Sequence, residues 1–249
     1  MPNNNAAANA IAILNKNPEH IAIILDGNRR FAKRLMLKPW MGHEWGKEKV
    51  EKLLDWCVEL GIKELTLYAF SVENFNRPKE EFNYIMKLFR EACQQLKTDS
   101  RLQEKRDKLG IRVRFLGRLE MFPEDIRKLM LELMEKTAQN TGLMVNFCMA
   151  YGGRQEINDA AKRMASDVEK GKISADAIND ETLKQYLYLP EEPDLIIRTG
   201  GEQRLSGFLL YQGSYSELFF LGKMWPEFEK EDLVQIIEEF KQRRRRFGR

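Results

Sequence analysis

The chain has 249 residues, 43% of them hydrophobic, enough for one sizeable core, and 41 basic against 38 acidic side chains leave a net charge of only +3. That balance argues against a dedicated nucleic-acid binder, and no apolar run reaches the roughly 18 residues of a membrane span. Three well-separated cysteines, Cys57, Cys93 and Cys148, read as buried free thiols of a reducing, cytoplasmic protein, while two histidines, His20 and His43, without a Cys or His at ligand spacing give no support to zinc.

From the amino end, residues 1–17 are expected to form a flexible arm, since residues 6–14 are mildly apolar but lack a basic leader and a cleavage site. Residues 18–249 then read as one domain, with no repeat, low-complexity block or Pro/Gly-rich linker. Short β-rich runs at 21–25, 65–70, 112–116, 144–149, 195–198 and 217–221 alternate with helix-period segments. Residues 44–60 place Val50, Leu53, Leu54, Cys57 and Val58 on one helical face. Phe82, Ile85, Met86, Phe89, Ala92, Cys93 and Leu96 trace a second apolar stripe after Pro78. This alternation predicts an α/β fold with a mostly parallel sheet of about six strands covered by helices.

Predicted strands end in clusters suited to anions: Asp26-Gly27-Asn28-Arg29-Arg30, Ser71-Val72-Glu73-Asn74-Phe75-Asn76-Arg77, Tyr151-Gly152-Gly153-Arg154 and Arg198-Thr199-Gly200-Gly201-Glu202-Gln203-Arg204. In open parallel sheets ligands bind outside the carboxyl ends of the strands, so one rim is the candidate site. Asp26 either caps the next helix or, beside arginines, shares Mg2+ with a diphosphate. Arg77, Arg198 and Arg204 suit phosphate oxygens bidentately, and Ser206 adds a hydroxyl. Glu217 reads either as an ordinary surface glutamate or as a second metal ligand, His43 as structural or functional, and Ser71 and Asn74 as turn caps or site groups. The stripe after Pro78 is either core or the lining of an apolar cavity, on a helix that could run unbroken from 78 to 108, about 45 Å at about 1.5 Å per residue. No phosphate-binding Gly-Lys loop and no dinucleotide fingerprint occurs.

Several of these motifs, Asp26 to Ala32, Gly42-His43, Tyr68 to Ser71 with Glu73-Asn74 and Asn76-Arg77-Pro78, Asn146 with Tyr151 to Arg154, Arg198 to Glu202 with Arg204-Leu205-Ser206, and Ser216 to Trp225-Pro226, agree in order and spacing with one family. From about Pro18 to Gly248 the chain resembles the cis-prenyltransferases, undecaprenyl diphosphate synthases in particular. The resemblance implies condensation of isopentenyl diphosphate with an allylic prenyl diphosphate in a homodimer with an apolar tunnel, dependent on Mg2+. It implies Asp26 as the essential carboxylate, with Glu217 at the second metal-associated position. Gly27, Asn28, Arg29, Arg30, Phe31, His43 and Arg77 would hold the allylic diphosphate, and Arg198, Arg204, Leu205 and Ser206 the isopentenyl diphosphate. Ser71, Val72, Glu73 and Phe75 fall at substrate-binding positions. Asn74, with Ser71 and His43, would assist proton removal. Arg246 and Gly248 resemble a C-terminal element that crosses the dimer to a diphosphate.

The sequence departs from the bacterial pattern where Arg29 replaces Gly, Phe31 and Phe75 replace Trp, and Pro39-Trp40-Met41 lacks an arginine before Gly42-His43; Gly207 and Tyr211 stand for Asn and Trp. These positions bear on primer choice and product length. The all-helical trans-prenyltransferases carry Asp-Asp-x-x-Asp motifs, absent here, and non-catalytic prenyltransferase subunits lose the Asp-Gly-Asn cluster, present here. Arg243 to Arg246 would be the patch for nucleic acid or anionic lipid, but a solvated tail is its ordinary reading, and no nucleic-acid partner is expected. Peripheral membrane contact during product release is.

Overall fold

A computed structural model describes residues 17–243; residues 1–16 of the expected arm, Arg246 and Gly248 lie outside the described residues. The strands are β1 (His20–Ile24), β2 (Glu64–Ser71), β3 (Arg112–Leu116), β4 (Met144–Tyr151), β5 (Leu195–Arg198) and β6 (Glu217–Phe220). Between and after them come α1 (Asn28–Arg34), α2 (Gly42–Glu59), α3 (Lys79–Thr98), α4 (Ser100–Lys108), α5 (Glu124–Thr137), α6 (Gly153–Glu169), α7 (Asp180–Tyr186) and α8 (Lys230–Gln242).

All strands pair in parallel, in the order β3-β4-β2-β1-β5-β6. The α/β fold with six strands expected from the sequence is therefore observed. β1 is central and every residue of it is buried, as a strand covered on both faces requires. The order in which strands are added reverses about β1: the β1 crossover leads to β2 on one side, while β5 lies on the other and leads outward to β6. The loops after β1 and β5 therefore part and leave a crevice above the carboxyl ends.

One sheet face carries the larger core, where Leu65, Leu67, Val145 and Met149 meet α2, α3, α5 and α8; the other carries Cys148, Tyr151, Leu189 and Phe208. Two register shifts on β2 and β4 adjust this division. Tyr68 pairs with Cys148, Phe70 with Met149 and Ser71 with Tyr151, so Ala69 and then Ala150 are extra residues in the ladder. Side chains alternate faces along a strand, and the shift returns Phe70 to the larger core while Tyr68 stays on the other face.

The long helix expected from 78 to 108 is broken. Asp99 takes extended dihedrals, φ −74 and ψ 113, its carbonyl accepts from Gln103 N–H at 2.9 Å, and α4 starts afresh at Ser100. The run Thr98-Asp99-Ser100 supplies the reason: such residues bond nearby backbone in place of the helical ladder, as Thr98 Oγ1 does by donating to Gln94 O at 2.8 Å.

Candidate active site

Asp26 lies two residues beyond β1 and its backbone is tied on three sides. Its N–H donates to Ile24 O at 2.9 Å, and its carbonyl accepts from Trp225 N–H at 2.9 Å and from Thr199 Oγ1 at 2.7 Å. The carboxylate stands between two guanidinium groups: Arg198 Nη2 donates to Oδ2 at 2.9 Å and Arg30 Nη2 to Oδ1 at 3.1 Å. Arg198 ends β5, is buried, and spends its other terminal nitrogen on Ser206 Oγ at 2.8 Å. A buried charge needs such partners, and its Nε has none. Gly200 makes this convergence possible. It has φ 85, and a Cβ there would lie 2.6 Å from Arg30 Nη2 and 3.2 Å from the Asp26 carboxyl carbon.

A second charged group forms where β2 ends. Ser71 and Asn74 close the turn after β2 reciprocally, with Ser71 N–H donating to Asn74 Oδ1 at 3.1 Å. Arg77 Nη1 then reaches Glu81 Oε1 at 2.8 Å and His43 Nε2 at 3.1 Å, while Arg29 Nε stands 3.5 Å from the same carboxylate. Glu81 is 1% exposed. Bonding to His43 and the two neighbouring arginines hold its carboxyl below the usual range although burial opposes this. Burial lowers the His43 pKa, and Arg77 and Arg29 push the same way. Neutral His43 can therefore accept from Arg77 through Nε2.

Both groups open onto one cavity of about 550 Å³. Its mouth includes Asp26, Asn28, His43, Ser71, Arg77 and Ser206, and its depth runs between the sheet and the helices α2 and α3. Along the sheet the wall passes from Met149 through Phe147 to Val145 and from Phe115 to Val113, the full strand length in the observed register. Opposite stand Ile85, Leu88, Phe89, Ala92, Cys93 and Leu96 of α3. A polar rim over an apolar shaft fits an amphiphile with an anionic head and a hydrocarbon tail.

The residues expected at the site from sequence divide. Asp26, Asn28, His43, Ser71, Glu73, Asn74, Arg77 and Ser206 line the cavity; Arg30 and Arg198 hold Asp26, and Arg29 turns toward Glu81. Gly27 packs against Met224. Phe31 meets Trp45 edge-on at 5.8 Å, and Phe75 joins Phe70, Phe82 and Phe122 in the core rather than the rim. Val72 is not among the lining residues, Arg204 pairs with Glu202, and Leu205 packs on the second core. Phe82 and Met86 of the α3 stripe likewise face core, not cavity.

Glu217 does not join Asp26. It opens β6, in register with Leu195 at the amino end of β5, and accepts from Arg243 Nη1 at 3.0 Å. About five residues along the strands and two strand spacings, roughly 16 Å and 10 Å, separate it from Asp26, so one copy of the chain cannot place both carboxylates on one ion. Sequence reasoning missed Glu81, whose spacing of four residues from Arg77 was the available signal.

The family model described as "Putative undecaprenyl diphosphate synthase" matches residues 24–248. The chain belongs to the cis-prenyltransferase family. A relative from Pyrococcus horikoshii, named tritrans,polycis-undecaprenyl-diphosphate synthase (geranylgeranyl-diphosphate specific), is 50% identical over 234 residues, covering 93% of this chain and 87% of that one. The solved lavandulyl diphosphate synthase of Lavandula x intermedia, in complex with dimethylallyl diphosphate, superimposes with a TM-score of 0.85 at 33% identity over 94% of this chain and 99% of that one. A structure from Campylobacter jejuni, described as a probable undecaprenyl diphosphate synthase, gives 0.77 at 35% identity over 94% and 100%. The cis-prenyltransferase fold expected from the motifs is thus the fold of this chain, and its cavity opens at the carboxyl ends of the strands.

Proposed function

We propose that this cis-prenyltransferase condenses isopentenyl diphosphate with an allylic prenyl diphosphate, with geranylgeranyl diphosphate as primer, to give a polycis-prenyl diphosphate of the kind that serves as a glycosyl carrier precursor. The observation that carries this reading is the junction of an apolar cavity of about 550 Å³ with a rim bearing Asp26, Arg77 and His43, Asp26 being held by Arg198. In the reaction the allylic C1–oxygen bond breaks, diphosphate leaves with its electron pair, C1 bonds to the terminal alkene carbon of isopentenyl diphosphate, and a proton is lost from the adjacent methylene. The primer preference rests on the name of the Pyrococcus horikoshii relative.

Arg77 and Arg29, with neutral His43, present cationic and hydrogen-bonding groups to one diphosphate, and Arg198 and Ser206 to the other. Asn74 and Ser71 stand at the same mouth, where an amide and a hydroxyl can guide the departing proton. The apolar shaft excludes water from the developing allylic cation. Among the described residues no group of three or more His, Cys, Asp or Glu side chains is placed to cage a metal. Asp26, at the cavity mouth, is the residue that would hold a Mg2+ ion together with the substrate, and the ion would supply neutralisation of charge on the leaving group. If Glu217 serves a metal it does so from a second copy, which fits a homodimer.

The test is incubation with labelled isopentenyl diphosphate, Mg2+ and a panel of dimethylallyl, farnesyl and geranylgeranyl diphosphates, followed by sizing of the products. Long polycis products, formed best from the geranylgeranyl primer, are expected. Asp26→Ala should fold normally yet turn over at least about a hundredfold more slowly, and a chelator should act alike. Near-normal turnover in a folded Asp26→Ala protein, or full activity in chelator, would remove this mechanism, and short or branched products would redirect the reading to a different acceptor.

A further inference from the structure

The turn from α1 to α2 carries apolar side chains that the fold does not use. Leu35 is 43% and Met36 94% exposed, the latter more than any other exposed large apolar side chain among the described residues. The backbone imposes this exposure. Leu37 N–H donates to Ala32 O at 2.9 Å and Met36 N–H to Lys33 O at 3.0 Å, a helix closure of the Schellman type with Met36 in the left-handed position, φ 56. Glycine suits that position because a Cβ there crowds the following carbonyl. Met36 accepts the crowding and leaves its side chain exposed, and nothing among the described residues compensates for either.

The surroundings indicate what does. Exposed Lys33 and Lys38 flank the apolar tip, and Lys38 Nζ lies 5.3 Å over the Trp40 ring at its base. Apolar side chains at a tip, an indole beneath them and lysines on the rim match the layers of a bilayer interface bearing anionic headgroups. The turn is also joined to the cavity, since Asn28 and His43, on either side of it in sequence, line the cavity mouth.

We propose that residues 33–40 dock this protein on an anionic lipid bilayer, with Leu35 and Met36 entering the interface, Trp40 at headgroup level and Lys33 and Lys38 against the headgroups. The rationale rests on reading the cavity as a prenyl diphosphate site, because such amphiphiles partition into bilayers, but the contact itself needs no substrate.

Sedimentation of the full chain with phosphatidylcholine vesicles, with and without phosphatidylglycerol, tests the contact. Binding is expected on the anionic vesicles and much weaker on the neutral ones. Met36→Gly should weaken binding about tenfold and raise the thermal midpoint in vesicle-free buffer, because glycine relieves the left-handed strain; a merely strained turn would give the second effect without the first. Lys33→Glu with Lys38→Glu should abolish the preference for anionic vesicles. Wild-type binding by Met36→Gly, or no binding of the wild type to anionic vesicles, overturns the proposal, as does a change of sedimentation coefficient in Met36→Gly, which would make the tip a contact between copies. Turnover of labelled isopentenyl diphosphate without vesicles is measured in parallel and should be unchanged by Met36→Gly; its absence in the wild type would sink the enzymatic reading and leave the vesicle result standing.

Discussion

A carboxylate with 1% exposure, like that of Glu81, persists as an ion only where partners replace what water supplied. Arg77 at 2.8 Å and Arg29 at 3.5 Å do so, and the relation is reciprocal. Glu81 lets two arginines and a histidine gather at the cavity mouth without dispersing, which orients Arg77 toward an incoming diphosphate. Glu81→Gln keeps the shape and removes the charge. Charge-assisted bonds of this kind contribute about 1.5–3 kcal/mol, so the KM for the allylic diphosphate should rise by about tenfold or more while kcat falls less. Glu81→Asp should recover part of the loss. A variant with a lowered thermal midpoint but an unchanged KM would make Glu81 a structural ion only.

Helix α3 and strands β3 and β4 form the long walls of the cavity, and their facing side chains should limit how far a prenyl tail can extend. Cys93, buried and on the wall, lies toward the amino ends of the strands with Val113 and Val145, whereas Phe89 stands nearer the aromatic cluster, 5.7 Å from Phe70. Close-packed walls yield little to added atoms. Cys93→Trp should shorten the products and Phe89→Ala should lengthen or broaden them, with the affinity for isopentenyl diphosphate within a few fold of wild type. Chromatography of the dephosphorylated products decides, and an unchanged distribution in both folded variants would place the tail elsewhere. The walls were partly legible in the sequence: the 3.6-residue stripe identified α3, and the apolar runs located all six strands within two residues, most sharply β1 and β5, which are buried along their whole length. Phe82 and Met86 share the stripe's period yet face core, and Phe75 sits in a polar motif yet packs inward, since periodicity reports that a face is buried and not what buries it. The break at Asp99 was readable in Thr98-Asp99-Ser100 but yielded to the apolar period around it. The separation of Glu217 from Asp26 depends on the parallel pairing of β5 with β6, which no local pattern displays.

The two histidines occupy opposite ends of the sheet and couple the stability of the whole fold to pH. His20 opens β1, bonds through Nε2 with Thr66 Oγ1 at 2.8 Å and has a buried Nδ1 without a partner. Glu64 on β2 is the largest influence favouring its charged form, with Asp194 and Glu191 acting in the same direction. His43, at the mouth, faces Glu81 from α3, with Arg77 from the turn after β2 and Arg29 from α1. Burial is the largest influence on both and lowers both from the ordinary value of 6.5. Below that value the unfolded chain binds protons that the folded chain refuses. The histidine contribution is therefore complete above about pH 6.5 and is lost as the pH falls through the folded values. Glu81, held low, acts with the same sign further into acid, since its contribution is present above its unfolded value of 4.5. Glu156 acts oppositely: burial raises its carboxyl, against hydrogen bonds from Tyr151, Gln212 and two backbone N–H groups, so its contribution is lost as the pH rises through its folded value. Between pH 7.5 and 5 the wild-type thermal midpoint should fall, and a His20→Asn, His43→Asn double variant should fall less steeply over that interval even if its midpoint at pH 7.5 is lower. Each single variant should show an intermediate slope, because the sites lie too far apart to share partners. An equal slope in the wild type and the double variant would mean that the histidines titrate alike in the folded and unfolded chain, and the acid sensitivity would then belong to the carboxylates.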